Sequence, residues 1–277
     1  MLETSRLYSF LDHKNGFNVH FLEGQKLIQD LAVIHQLQGS GFAYFREIIL
    51  GAMPAIFFLK PGENIGIYID SEDPYFRLKI ETSHSGHTRT LLLPEDFNQF
   101  PMTLTGKARV TKSFANDKSP YTSIINLEKS SNKEVLNQIF KESYQTNCEV
   151  ITSDVSDQSI MVTKLPALNV KLINNESDTR AEYIKKHSTF FHSVFEKAET
   201  NIEAIVKTFE DHGDLAYMGS RQIIYHCPCS KERMVKNLLA LYGNNNEAVL
   251  EGKPFLEISC DYCHKSYKIE AEDLQMH

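Results

Sequence analysis

Apolar and polar positions alternate at the start of the chain, and residues 7–11 and 17–22 read as two strands. They flank Lys14-Asn15-Gly16, whose Asn-Gly step favours a tight hairpin turn. From Gln25 the period changes: Leu27, Ile28, Leu31, Ile34, His35 and Leu37 fall at helical spacing, which predicts a helix ended by Gly39-Ser40-Gly41. A second helix is expected from about Tyr44. Residues 48–58 are apolar on nearly all sides, so it is expected to be central and buried, with a kink at Pro54.

The period then shortens to two. Residues 65–69, 76–80 and 88–92 alternate, and Asp73-Pro74 and Ser85-Gly86 supply the turns of an antiparallel meander. Further strands are expected at 104–110, 121–126, 149–152 and 160–165. Ser131-Asn132-Lys133-Glu134 has the form of a capping box, and Val135, Leu136, Ile139 and Phe140 continue one apolar helical face. This mixture predicts an N-terminal α+β domain over residues 1–166 with an antiparallel sheet.

Residues 167–176 are polar and without period, and read as a joint. Thr179-Arg180-Ala181-Glu182 is a second capping box, followed by a stripe of Tyr183, His187, Phe190, Phe191, Val194, Phe195 and Ala198. Thr200-Asn201-Ile202-Glu203 repeats the signal and opens a shorter helix carrying Ile205, Val206 and Phe209 inward. Residues 167–220 are thus expected to be a helical linker. Its wide apolar face has no core of its own and must lie on something else.

Composition narrows the function. The 277 residues are 42% hydrophobic and 23% charged, with a formal charge of -7, which disfavours an electrostatic grip on nucleic acid or an acidic membrane. The longest apolar run, residues 48–59, is broken by Gly51 and Pro54 and falls short of the roughly 20 residues of a membrane span. The N-terminus has no basic segment followed by a hydrophobic signal core, so a cytoplasmic protein is expected. No Gly-x-Gly-x-x-Gly, Gly-Lys-Ser/Thr or Gly-x-Ser-x-Gly motif is present, and no enzyme is expected. His84-Ser85-Gly86-His87 reads as a polar turn.

The chemistry concentrates in residues 221–277, where Cys227-Pro228-Cys229 is answered by Cys260-Asp261-Tyr262-Cys263. The intervening residues, 230–259, suffice for a helix and a return strand that bring the pairs together. Four thiolates in two close pairs suit tetrahedral Zn2+. Pro228 stiffens the first pair, Ser230 is the expected N-cap, Met234, Leu238 and Leu241 the expected inner face, and Gly243 the stop. Strands are expected at 255–259 and 267–269. So small a module depends on its metal for folding. His226 and His264 flank the cysteines but are not needed as ligands. The fifth cysteine, Cys148, reads as a small buried hydrophobe.

Two readings of the tetrad stay open at this point. One is a purely structural zinc, as in a zinc-ribbon-type module for nucleic-acid or protein interaction, with Lys231, Arg233 and Lys236 beside it. The other is a redox switch, because each pair is close enough to close its own disulfide and thiolates are what oxidants attack.

The module's sequence adds a resemblance. Cys-x-Cys with Ser230-Lys231-Glu232-Arg233, then Leu238-Leu239-Ala240-Leu241, Cys-x-x-Cys, Tyr267 and Ala271-Glu272-Asp273-Leu274 resembles the C-terminal redox domain of the heat shock protein 33 family of redox-regulated chaperones. Ser119-Pro120-Tyr121-Thr122, Ser143-Tyr144-Gln145 and Leu165-Pro166 extend the likeness upstream, and Asp157-Gln158-Ser159-Ile160-Met161 departs from the family's glycine-bearing segment. The resemblance implies an ATP-independent holdase for unfolding proteins under oxidative stress. It implies a metal site at Cys227, Cys229, Cys260 and Cys263, inactive when reduced. On oxidation it implies disulfides joining Cys227 with Cys229 and Cys260 with Cys263, loss of zinc, unfolding of module and linker, and a homodimer. The client-binding candidates are then Phe190, Phe191, Val194, Phe195, Ile205 and Phe209, uncovered when metal-dependent folding is lost.

Overall fold

Strands β1 (Arg6–Asp12) and β2 (Phe17–Glu23) form the expected hairpin. The Asp12 carboxylate accepts from the Asn15 backbone N–H at 2.9 Å and from its side-chain amide at 2.8 Å, and Gly16, at φ 71°, closes the turn. The computed structural model describes residues 2–114, 119–166, 179–213, 215–243 and 246–274, and the joint expected at 167–176 lies outside them. The chain divides into two units, residues 1–225 and 226–277.

Helix α1 (Gln25–His35) ends earlier than its apolar spacing implies, because Gln36 takes the left-handed C-cap conformation at φ 51°. Gly39-Ser40-Gly41 does not end this helix; it opens the next, α2 (Gly39–Ala52), so that helix starts well before Tyr44. The reason is a close approach. A Cβ on Gly41 would lie 2.2 Å from the Phe97 carbonyl oxygen, and the Gly41 N–H donates to Asn98 Oδ1 at 3.0 Å. At Pro54 the helix tightens into a 3-10 segment, Met53–Phe58. By length and composition Gly39–Phe58 is apolar enough to cross a membrane, but Tyr44, Phe45, Ile48, Ile49, Met53 and Ile56 are fully buried in the protein core.

The meander is longer than its alternation suggests. It comprises β3 (Glu63–Asp73), β4 (Tyr75–Ser83) and β5 (His87–Leu93), and β6 (Leu104–Phe114) and β7 (Tyr121–Ser130) extend it. Helix α3 (Asn132–Tyr144) starts at the expected capping box, with Ser131 and Glu134 each bonded to the other's backbone. Strands β8 (Cys148–Thr152) and β9 (Gln158–Lys164) return to the hairpin. Between them, Asp157 of the segment that departs from the family pattern pairs with Arg46 of α2.

Two sheets result. One is antiparallel, in the order β10-β1-β2-β9-β8, and the other runs β11-β5-β4-β3-β6-β7. Strands β10 (Leu215–Gln222) and β11 (Ile224–Tyr225) were not expected from the sequence. Gly219 interrupts β10, and its partner strand β1 shifts register there, so the period-two signal fails. The larger core gathers α1, α2, α3 and the 3-10 segment with the inner row of the six-stranded sheet.

The other face of the five-stranded sheet carries Tyr8, Phe10, Phe17, Val19, Phe21, Ile160 and Val162. On it lie α4 (Arg180–Lys197) and α5 (Ile202–Glu210), the helices whose apolar stripes lacked a core of their own. The cap of α5 is Asn201, whose side chain accepts from the Ala204 N–H, and not Thr200. Asparagine, one residue nearer the helix, reaches the free amide first.

Two buried groups of the hairpin titrate in opposite directions. Burial holds His20, fully enclosed between Ser9 and the Phe57 ring, down to about 3, and nearby Arg221 adds to this. Burial pushes Glu23 up to about 7. As pH falls from 6.5 the unfolded chain protonates its histidine while folded His20 stays neutral, so its contribution to stability is lost downward toward pH 3. Glu23 behaves oppositely: its contribution is present below the unfolded carboxyl value and lost as pH rises through about 7. The two offset each other in the native protein. In Glu23→Gln the histidine acts alone, and urea unfolding is expected to show a loss of about 2 kcal/mol between pH 7 and pH 5, with a smaller change in the parent chain.

Candidate metal centre

The second unit is built around a small apolar cluster of Val235, Leu239, Val249, Tyr267, Ile269 and Leu274 with Cys260. Helix α6 (Lys231–Leu241) begins where expected, Ser230 accepting from the Arg233 N–H at 3.3 Å. Its buried positions are Val235 and Leu239, and Leu241 is 77% exposed, so the inner face is rotated from the one read in the sequence. Met234 and Leu238 pack at its border. A short helix, α7 (Asn246–Leu250), precedes the hairpin of β12 (Phe255–Ser259) and β13 (Ser266–Glu270).

Each pair of cysteines is presented by a stiff turn. Pro228 fixes the first, and its carbonyl accepts from Arg233 at 3.0 Å. The second lies on the tight connection of β12 to β13: the Cys260 carbonyl accepts from the Cys263 N–H at 3.3 Å and the His264 N–H at 2.7 Å, and the Cys260 N–H donates to Lys265 at 3.0 Å. His264 adopts φ 56°, a left-handed conformation that the turn imposes.

The four Sγ atoms converge to within 4.8 Å of one another. Cys227 and Cys260 approach to 3.7 Å, Cys229 and Cys263 to 3.3 Å. A regular tetrahedron of sulfurs about 2.3 Å from a central zinc has edges of about 3.8 Å, so the donor set fits such an ion. All four are free thiols, and they are the one group of three or more His, Cys, Asp or Glu side chains placed to share an ion among the described residues. His226 and His264 are not part of it.

Tyr267, on β13, donates its hydroxyl hydrogen to Cys229 Sγ at 3.1 Å, a supporting contact that sequence spacing did not disclose. The signal available was a tyrosine four residues beyond Cys263 in a strand that returns past the first pair. The sulfurs are electrostatically unequal. Burial raises the Cys227 thiol, and burial with its neighbours' hydrogen bonds takes Cys263 up to about 12. At Cys229 burial also raises the thiol, but the Tyr267 hydroxyl and the other sulfurs outweigh it and leave it at about 7. Outer partners of this kind orient metal ligands. Tyr267→Phe is therefore expected to weaken metal retention about tenfold, read as faster loss of the ion to a competing chelator.

The client-binding candidates lie in the first unit. Phe191, Val194 and Phe195 of α4 and Ile205 and Phe209 of α5 are buried against the five-stranded sheet, and Phe190 is half-buried. Phe209 stacks on Phe10 at 4.4 Å and lies 5.2 Å from Phe21, and Phe190 stacks on His212 at 3.5 Å. Cys148 is buried in β8, as expected of a small hydrophobe.

These features can be set beside known proteins. A 33 kDa chaperonin of Aquifex aeolicus is 20% identical over 275 residues, covering 93% of this chain and 84% of its own length. One of Streptococcus pneumoniae (strain JJA), also named 33 kDa chaperonin, is 26% identical over 162 residues, covering 57% of this chain and 55% of its own length. The crystal structure of the heat shock protein 33 homolog of Thermotoga maritima superposes with a TM-score of 0.73 at 15% identity, covering 99% of this chain and 97% of that one, a likeness of fold. A family model described as Hsp33 protein matches residues 5–270, and the chain therefore belongs to the Hsp33 family of chaperones.

Proposed function

We propose that this chaperone is a redox-regulated, ATP-independent holdase acting in the cytoplasm. The observation that carries the reading is the convergence of four free sulfurs in a unit with little other core. When bound, Zn2+ would supply a fourfold crosslink and keep its ligands as thiolates. In that state Cys227, Cys229, Cys260 and Cys263 hold the turns of residues 226–274 in register, and the chaperone is inactive.

Oxidation removes the donor set. A thiolate of each pair attacks peroxide to give a sulfenic acid and hydroxide, and its neighbour displaces water to close the disulfide. Each bond, Cys227 with Cys229 and Cys260 with Cys263, thus passes two electrons to one peroxide. Without shared ligands the small unit loses its fold. Chain connectivity passes this on: β11 ends at Tyr225, one residue before His226 and two before Cys227, and β10 lies between α5 and β11. Release of β11 and β10 unpins α5 and then α4, uncovering Phe191, Val194, Phe195, Ile205 and Phe209 together with the aromatic face of the sheet.

An apolar surface of that kind binds unfolding proteins without sequence preference and needs no nucleotide. It also offers a homodimer contact in the oxidised state. The test is to treat reduced, zinc-loaded protein with peroxide or hypochlorite, without ATP, while following zinc release and the aggregation of heated citrate synthase. Aggregation should be suppressed as zinc is released, and dithiothreitol should reverse the thiol chemistry. Zinc release with no gain in suppression would leave a structural zinc module.

A further inference from the structure

The outer face of the six-stranded sheet plays no part in that cycle. Its inner row is buried, Ile67, Ile69, Leu78, Ile80, Ala108 and Val110, and the alternate positions therefore form the outer one. There Arg77, Asp70 and Lys107 stand side by side on β4, β3 and β6, and Lys79, Tyr68 and Arg109 form the next rung. In a chain of net charge -7 these two rungs carry four cations against one carboxylate, Asp70, with Glu72 on the rung to one side and Glu81, opposite Arg89, on the rung to the other.

Asp70 and Glu81 are already engaged. Glu81 pairs with Arg89 at 2.5 Å and accepts from the Tyr68 hydroxyl at 3.0 Å, and Asp70 lies 3.7 Å from Arg77. Lys79 and Lys107 have no carboxylate partner among the described residues. The Arg109 guanidinium sits 4.7 Å from the centre of the Tyr68 ring.

We infer that this face docks an extended acidic segment of another polypeptide. Arg77 and Lys79 on β4, and Lys107 and Arg109 on β6, are two residues apart, which sets like charges about 7 Å apart along each strand. An extended peptide presents alternate side chains at the same repeat, so consecutive outward carboxylates meet consecutive cations. Nucleic acid suits the face less well. Tyr68, tied through its hydroxyl to Glu81 and faced by Arg109, is not free to stack a base. Electrostatic docking of this type speeds encounter and selects acidic partners, and because no thiol takes part it operates in either redox state.

Fluorescence anisotropy of a labelled Glu-rich peptide on the reduced, full-length protein tests this, with an oligouridylate of equal length as comparator. The peptide should bind at low salt and weaken about tenfold at ~0.15 M salt. Lys79→Glu combined with Lys107→Glu should cost at least about tenfold more, with melting temperature and thiol count unchanged, and the Lys→Gln pair should fall between. No binding at low salt, binding unaltered in the charge-reversed protein, or preference for the oligouridylate would each overturn the inference. None of these readouts depends on oxidation or client holding, so the redox reading stands or falls separately.

Discussion

Replacing Cys227 or Cys260 with serine, or stripping the metal with a chelator at neutral pH, is expected to unfold residues 226–274 and, through β11 and β10, to loosen α5 and α4, while residues 2–166 stay folded. The buried residues of the second unit are few, and their packing does not offset the chain entropy of some fifty residues without help. A four-thiolate zinc site contributes about 10–16 kcal/mol of apparent free energy, which is the margin the small unit lacks. The first unit has its own two cores and no share in the sulfur cluster. Limited proteolysis should cut within β12, α6 or β13 of the serine variants while residues 2–166 resist. Amide dispersion for the second unit should return on adding zinc to the chelated native protein, but not to the variants. A serine variant whose second unit stays protected would show that packing alone suffices.

Phe209→Ala is expected to hold clients without any oxidant. Phe209 is fully buried, stacked on Phe10 and against Phe21 and Phe190, so truncation costs about 3–5 kcal/mol. That loss falls on α5, nine residues long and too short to persist as a helix without tertiary support. With α5 detached, the aromatic face of the five-stranded sheet opens while the thiols remain reduced. Suppression of citrate synthase aggregation by the reduced variant should approach that of oxidised native protein. Phe209→Leu, which keeps most of the volume, should remain inactive until oxidised. Equal inactivity of both reduced variants would mean that α5 does not cover the client surface.

What the sequence disclosed follows from where its signals are local. The cysteine pairs needed only spacing, and the capping boxes at Ser131 and Thr179 only four consecutive residues, so these were legible. The apolar stripe on α4 announced that it must be covered, but the covering face, drawn from β1, β2, β9 and β10, depends on pairing across the whole length of the first unit. Periodicity does not carry that information. Gly39 and Gly41 misled for a related reason: glycine there serves a close approach to Phe97 and Asn98, a long-range contact, and not a helix stop. The rotation of α6 toward Val235 and Leu239 was hidden because Met234, Leu238 and Leu241 make an equally good stripe in isolation. Tyr267 acts on Cys229 only once β13 returns beside the first pair.

Hydrogen–deuterium exchange of the reduced, zinc-loaded protein against the peroxide-oxidised protein tests the central coupling most directly. Peptides from 226–274 and from α4 and α5 should lose protection together on oxidation, with β3, β4 and β6 unchanged. Loss of protection confined to 226–274, with α4 and α5 still protected, would contradict the account.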